Sequence, residues 1–461
     1  MLLKSNINDL KNIIKSENVL FSKEERYCYS QDSTHVNQKI TIPDVVVFVE
    51  TVEDVQKILK YANMHKIPVI ARGAGTNMVG ACVCQDGGIV LNFSKMNKIL
   101  EFSPEDMVMK VQPGVVLNDI KLLAEREGLF YPPDPSNFKV STIGGSIAQS
   151  SGGAKSFKYG TTKDYILSLK VVLADGTLMR LGAGTIKDAV GYHLNQLIIG
   201  SEGTLAIVVE AELKLIPLPE SSGIITAYFD TIQDAASAVN QIIKQRVFPA
   251  TMDFMDNNSI KTVEEFYPSG LNTTKACLLM IEIDGYESSL TIQKEKIFEI
   301  LNNYGNDYDY TADKIQMEKV WTARRSSFAS TAKLGRDVIS DDIIVPRSKL
   351  PEALSGIQSI CNKYSLKACI VGHIGDGNIH PQIALNMDND EEFKNYQGAK
   401  SEIYLLTVSL GGTISAEHGV GIEKIPYLNK VLDTNSIDYM KKIKMLFDPN
   451  NILNPGKIFK L

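Results

Sequence analysis

The stretch PDVVVFVETVEDVQKILKYANMHKIPVIARGAGTNMVG, residues 43–80, carries three structural signals in succession. Asp44 to Glu50 is a compact apolar, β-branched run and reads as a strand. Thr51 opens a helix that extends to His65, with Asp54 three residues on to complete a capping box. Ile67 to Ile70 is a second strand. Ala71 to Gly80 then places glycines at 73, 75 and 80, so that backbone amides can turn toward phosphate oxygens. A plain glycine turn has the same composition. It is not a dinucleotide fingerprint, because Met78 stands where the third glycine is needed and no helical pattern follows. Strand, helix, strand and glycine loop in this order predict an α+β domain.

Further glycine clusters follow at Pro132-Pro133-Asp134-Pro135-Ser136, Ser141 to Ala148, Ser150 to Gly153, Tyr159-Gly160-Thr161 and Gly200 to Leu205. Strands at Ile166 to Ala174 and Ala206 to Ile216 separate them. Small residues repeated at strand ends suit an extended ligand, longer than a mononucleotide. Pro217-Leu218-Pro219 marks a domain boundary. Beyond it, strands Gly223 to Phe229 and Lys275 to Ile283 alternate with amphipathic helices Ile232 to Lys244 and Leu290 to Asn303, a second α+β domain. The expected division is an N-terminal helical segment over 1–42 with polar irregular chain up to residue 40, domains over 43–219 and 220–425, and a C-terminal segment over 426–461. Phe447 to Lys457 is rich in turn formers, yet the apolar Ile452 and Leu453 within it and Ile458 and Phe459 just after it predict that the tail packs on something.

A net charge of −6 gives no electrostatic footprint for nucleic acid or an anionic membrane. No apolar run reaches the roughly 20 residues of a bilayer span, and Met1 to Phe21 has no apolar signal core. The cysteines at 28, 82, 84, 277, 361 and 369 form no C-x-x-C pair and no iron–sulfur spacing. A reduced, cytoplasmic protein is expected.

Val371-Gly372-His373-Ile374-Gly375-Asp376-Gly377-Asn378-Ile379-His380 predicts a hairpin. With Asp376-Gly377 as a two-residue turn, His373 stands directly opposite His380, Cβ atoms about 5 Å apart. A plain hairpin gives the same pattern. Ser415-Ala416-Glu417-His418-Gly419-Val420-Gly421 adds a carboxylate and a third imidazole. Two histidines and a carboxylate, His373, His380 and Glu417, suit a catalytic zinc, iron or manganese ion.

Arg72-Gly73-Ala74-Gly75-Thr76, Gly144-Gly145, Gly200-Ser201-Glu202-Gly203-Thr204, the His373–His380 stretch, Ser415 to Gly419 and Asn454-Pro455-Gly456-Lys457 occur in that order. Together they resemble the FAD-linked D-2-hydroxy acid dehydrogenases of the vanillyl-alcohol oxidase type, a family that includes glycolate oxidases and D-lactate dehydrogenases. The resemblance implies an α+β fold: an FAD-binding domain of two α+β subdomains, and an α+β cap domain for substrate and metal. It implies cofactor contacts at Gly73, Ala74, Gly75, Thr76, Asn77, Pro133, Thr142, Gly144, Gly145, Gly152, Gly160, Glu202, Ile207 and Asn454. Relatives with covalent FAD carry His where Thr76 stands, so the FAD here is expected to be non-covalent. The usual asparagines of the Gly-Gly-Asn-Ile-Ala-Thr-Asn motif are Ser146 and Ser150 here.

The resemblance also makes Arg324, in Trp321-Thr322-Ala323-Arg324, the partner of the substrate carboxylate, with Arg325 as a rival, and His418 the general base. Where 2-hydroxyglutarate dehydrogenases have Thr and Lys for a second carboxylate, Phe328 and Ser340 stand here, and Gln382 replaces a metal-binding Asn. A short monocarboxylate, D-lactate or glycolate, is therefore the expected substrate, reacting by metal-assisted proton abstraction and hydride transfer to flavin. A 2-hydroxyglutarate dehydrogenase and an oxygen-using oxidase are the alternatives. With no onward redox centre in the chain, the expected acceptor is an electron-transferring flavoprotein or an iron–sulfur subunit. A non-catalytic flavin-binding subunit of a larger oxidase is a further reading.

Overall fold

The computed structural model describes residues 4–34, 41–305 and 307–461. Part of the expected N-terminal segment, 1–3 and 35–40, therefore lies outside the described residues. The chain divides into two units, one of 1–152, 161–218 and 417–461, the other of 153–160 and 219–416. This division differs from the expected one in three places. Residues 1–42 form no separate body, the second unit ends at Ala416 rather than 425, and eight residues at 153–160 leave the first unit for the second.

The first unit contains the two expected α+β halves. In one, strands Val45–Phe48, Ile89–Asn92 and Val69–Arg72 run parallel in that order, with Val19–Leu20 antiparallel at the edge. The crossover is the helix Val52–His65. Thr51 Oγ1 accepts the Asp54 amide and Asp54 returns the bond to the Thr51 amide, which fixes the helix start. Val55, Ile58, Leu59 and Ala62 repeat on its buried face and pack with Val45, Val47, Ile89 and Leu91. The other half is a five-stranded antiparallel sheet in the order Ile99–Ser103, Val108–Val111, Ile207–Lys214, Ile166–Val172, Leu178–Leu181.

The C-terminal tail does pack. The Val69 amide donates to Ile452 O (2.7 Å) and the Asn454 amide to Val69 O (2.8 Å), so the tail lies along the strand Val69–Arg72. Lys444, 2% exposed, donates to Thr204 O, Leu453 O and Asp448, which pins the turn before that tail.

The second unit is one antiparallel sheet, in the order Tyr308–Thr311, Ser221–Phe229, Cys277–Gly285, Thr251–Asp256, Lys367–Gly372, Asn378–Leu385, Asp337–Ser340, with Ile343–Ile344 also paired to Asn378–Leu385. Helices Ile232–Lys244, Asn257–Phe266, Glu287–Leu301, Lys314–Arg325, Leu350–Lys363 and Asp390–Ser409 connect its strands. Residues 153–160 belong here because Lys155 bonds Glu282 (2.6 Å), Tyr159 bonds Asp284 (2.7 Å), and the Phe157 ring meets the Phe248 ring edge-on.

Among the described residues no helix is long and apolar enough to cross a membrane, and all six cysteines are free.

Candidate functional site

In the first unit, the loop after Arg72 lies against the start of the helix Ile143–Gln149. Thr142 caps that helix by accepting the Gly145 amide (3.4 Å). A Cβ on Gly73 would stand 2.2 Å from Thr142 Oγ1, so only glycine permits this approach. Between these elements runs an open groove lined by Gly73 to Asn77, Ser141, Thr142, Gly145, Ser146, Gln149, Glu202, Glu417 and His418 among others. A neighbouring groove is lined by Arg72, Pro113, Gly144, Ser201 and Ile207 among others.

Ser141 Oγ, Ser146 Oγ, Gln149 Oε1 and Ser201 Oγ are buried on these grooves, without a hydrogen-bond partner among the described residues. Each such group costs about 1–3 kcal/mol unless a ligand satisfies it. A glycine-rich loop lining the groove, with several unsatisfied polar side-chain atoms beside it, fits FAD. Ser146, which replaces the usual asparagine, is one of these unsatisfied groups.

Of the residues expected to touch the cofactor, Gly73, Ala74, Gly75, Thr76, Asn77, Thr142, Gly145 and Glu202 line the first groove, and Gly144 and Ile207 the second. Pro133, Gly152, Gly160 and Asn454 lie outside both linings. Pro133 and Gly152 are buried in the first unit. Gly160 ends the short helix Ser156–Tyr159 of the second unit. Asn454 acts from behind the groove, its Nδ2 donating to Ala81 O (2.8 Å) and Glu202 O (2.7 Å).

His418 is held through its neighbours. Asn77 Nδ2 donates to His418 O (3.2 Å), and the Glu202 carboxylate accepts the amides of Val420 (2.7 Å) and Gly421 (2.9 Å). Gly419 passes close to the Gln149 and Glu202 side chains and has a φ of 86°, a left-handed conformation that favours glycine. Burial pushes the Glu202 carboxyl up from its ordinary range, although the two amides pull the other way.

In the second unit the histidine hairpin forms with a different register. His380 pairs with Val371, not His373, and the connection is the loop His373–Gly377 rather than a two-residue turn. The reason is local: His373 O accepts the amides of both Asp376 and Asn378, which closes a longer turn, and Gly375 N is drawn to Met252 O (3.2 Å). The two rings still meet, centroids 5.3 Å apart and nearly perpendicular.

Each ring is oriented at Nδ1. His373 Nδ1 lies 2.7 Å from Asp253 Oδ1, and His380 Nδ1 lies 3.2 Å from Asp341 O. A carbonyl can only accept, so His380 carries its proton on Nδ1 and the lone pair on Nε2; the carboxylate beside His373 favours the same tautomer. Asp342, fully buried, accepts from Asn378 Nδ2 (2.9 Å), Ser415 Oγ (3.0 Å) and the Ala416 amide (2.9 Å), and its Oδ1 lies 4.0 Å from His380 Nδ1. Glu417 and His418 follow Ala416 directly in the chain.

Arg324 lies in the last turn of the helix Lys314–Arg325 and is 9% exposed. Its Nε lies 2.7 Å from Asp253 Oδ2, an ion pair whose N–H is not aimed as in a hydrogen bond. Burial opposes ionisation of Asp253, yet His373 and Arg324 hold its carboxyl below the usual range. The rival Arg325 is tied to Glu318 (2.5 Å). Gln382 Oε1 accepts the hydroxyls of Ser327 (2.8 Å) and Thr331 (3.0 Å), so that oxygen is already engaged. Ser340 is the strand partner of Gln382, and Phe328 lies half-buried in the short helix Ser327–Thr331.

Sequence reasoning missed Asp253 and Asp342. For Asp253 a signal existed: in Thr251-Met252-Asp253-Phe254-Met255-Asp256 a carboxylate interrupts a strand that is buried throughout. Asp342 carries no such mark.

The family of FAD-linked oxidase C-terminal domains matches residues 218–458, and the FAD-binding domain family matches residues 43–182. The chain is 40% identical over 461 residues to glycolate oxidase subunit GlcD of Bacillus subtilis, covering 100% of this chain and 97% of that protein. It is 35% identical over 441 residues to D-lactate dehydrogenase of Anaerostipes hadrus, covering 93% of each. A substrate-bound p-cresol methylhydroxylase shares the fold with a TM-score of 0.81 at 17% identity, over 99% of this chain and 97% of that one. The chain therefore belongs to the FAD-linked oxidases of the vanillyl-alcohol oxidase-like fold, alongside glycolate oxidase subunit GlcD and D-lactate dehydrogenase, and is an FAD-dependent oxidoreductase.

Proposed function

We propose that the chain oxidises a short D-2-hydroxy acid, D-lactate or glycolate, to the 2-oxo acid, with a divalent ion held by His373, His380 and Glu417 and with Asp342 beside His380. The observation that carries this reading is the orientation of the two imidazoles. Each is engaged at Nδ1 by an oxygen, the arrangement in which metal-ligating histidines present Nε2. Zinc, iron and manganese all suit such nitrogen and oxygen donors. The ion, when bound, lowers the pKa of a hydroxyl beside it. FAD, when bound, supplies the two-electron acceptor for the hydride lost from C2.

The chain's own residues supply the remaining functions. Arg324 binds the substrate carboxylate through the end of its guanidinium fork. His418 takes the hydroxyl proton, an imidazole being near its working pKa at neutral pH. Asn77 and Glu202 fix the backbone on which His418 stands. The short monocarboxylate is favoured over 2-hydroxyglutarate because Phe328 and Ser340 supply no positive charge for a second carboxylate. Arg325 pairs with Glu318, Arg336 with Asp388, and Lys333 with Glu265. Electrons pass to a partner protein, an electron-transferring flavoprotein or an iron–sulfur subunit, a reading supported by the Bacillus subtilis relative being named as a subunit. Six free cysteines suit a reducing compartment, and we place the chain in the cytoplasm.

Elemental analysis of the purified protein tests the metal. One equivalent of zinc, iron or manganese is expected in the active protein. His380→Ala should lose it while keeping FAD, and Glu417→Ala should lose it as well. Active protein free of all three metals would overturn the reading.

A further inference from the structure

We propose that Asp253 determines which acids the site accepts: its buried charge, shared between Arg324 and His373, admits one substrate carboxylate and turns a second away. This rests on the role given to Arg324 above. Asp253 is 1% exposed, on the strand Thr251–Asp256. One oxygen lies 2.7 Å from Arg324 Nε and the other 2.7 Å from His373 Nδ1. The same carboxylate thus holds the cation that reads the substrate and an imidazole proposed to hold the metal.

The contact on Arg324 is at Nε, one edge of the fork. Among the described residues neither terminal nitrogen of Arg324 makes a hydrogen bond, although the side chain is nine-tenths buried. A planar fork fixed along one edge presents those terminal nitrogens to a single carboxylate. The negative charge of Asp253 stays directly behind the fork, in surroundings where charges are poorly screened. A monocarboxylate meets the terminal nitrogens of Arg324 and adds a single negative charge beside the Arg324–Asp253 pair. A dicarboxylate brings a second negative charge into the field of Asp253, where it is disfavoured. Selection therefore comes from charge as well as size, and charge can be altered without changing shape.

The chain's one tryptophan gives a binding signal independent of turnover. Trp321 stands three residues before Arg324 on the same helix, its Nε1 donating to Glu282 (2.8 Å). Its emission is followed while the FAD-loaded protein is titrated with pyruvate and with 2-oxoglutarate, which differ by one carboxylate. Wild type should bind pyruvate at least about tenfold more tightly. Asp253→Asn, which keeps the shape and removes the charge, should move that ratio toward 2-oxoglutarate by about tenfold or more, the scale on which one nearby charge acts. Asp253→Glu should keep the wild-type preference. A ratio within one protein is insensitive to general loss of stability or flavin, so a merely structural role would not move it. An unchanged ratio in folded Asp253→Asn overturns the proposal. If that variant does not fold, the wild type decides: equal binding of the two acids overturns the proposal, and a tenfold preference supports it. Arg324→Met separates this from the reading beneath it. Normal pyruvate binding by that variant would refute the carboxylate role of Arg324, whatever Asp253→Asn does.

Discussion

The Glu202 carboxylate accepts the amide of Gly421, 2.9 Å away, and so ties the glycine cluster of 200–204 to the loop that carries His418. Glu202 is 4% exposed and also receives the Val420 amide, so its removal leaves one buried and one part-buried donor unpaired. Glu202→Ala should cost about 2–4 kcal/mol of local stability. Lower FAD occupancy, from the 450 to 280 nm absorbance ratio, and faster proteolysis near residue 420 are expected. Glu202→Gln, which keeps an acceptor, should lie between this variant and wild type.

Thr76 lines the groove at the position where covalently flavinylated relatives have histidine. A threonine hydroxyl cannot form a histidyl–flavin bond, so acid precipitation should release all of the FAD into the supernatant. Flavin retained in the protein pellet would contradict this.

Asp256 caps the helix Asn257–Phe266 from a fully enclosed position, and burial raises its carboxyl from 3.8 to about 6. The folded chain therefore holds a proton that the unfolded chain releases between pH 4 and 6. The sign follows: this group's contribution is fully present below pH 4 and is lost as pH rises through 6. The shift corresponds to about 3 kcal/mol at most. Asp256→Asn should flatten stability over this window, whatever its effect on absolute stability. Urea unfolding at a series of pH values, followed by Trp321 emission, reads the slope.

Lys444→Met should destabilise the first unit by about 3–5 kcal/mol, because it strands Asp448 as an unpaired buried charge. Burial lowers the pKa of Lys444 while Asp448 raises it, and burial prevails. Removing both charges in Lys444→Met/Asp448→Leu should recover part of the loss. Denaturant melts of the single and double variants check this.

Local signals were legible wherever one short stretch determined the outcome. The helix Ile232–Lys244 was readable to its ends, and the Thr51–Asp54 cap was plain from two residues. The glycine loop and the glycine pair before Ser146 were readable because close approach leaves few other residue choices. What was not legible depends on partners far apart in sequence. Asp253 meets Arg324 and His373 across 71 and 120 positions, with no local pattern marking that encounter. Gly152 and Gly160 read like the other groove glycines. The chain between them instead follows Glu282 and Asp284 into the second unit, through side-chain pairs that no spacing rule reveals. The hairpin register failed for a related reason: Asp376-Gly377 is a sound turn signal, but the His373 carbonyl collects two amides and lengthens the loop.

Oxidation of a short D-2-hydroxy acid is tested most directly by anaerobic stopped-flow reduction of the bound flavin. Purified protein is mixed without oxygen with D-lactate, L-lactate, glycolate and D-2-hydroxyglutarate in turn, and bleaching is followed at 450 nm. D-lactate or glycolate should bleach the flavin completely, at least about tenfold faster than D-2-hydroxyglutarate, since a second carboxylate buried without a partner costs several kcal/mol. Faster reduction by D-2-hydroxyglutarate, or no reduction by either short acid, would contradict the proposed function.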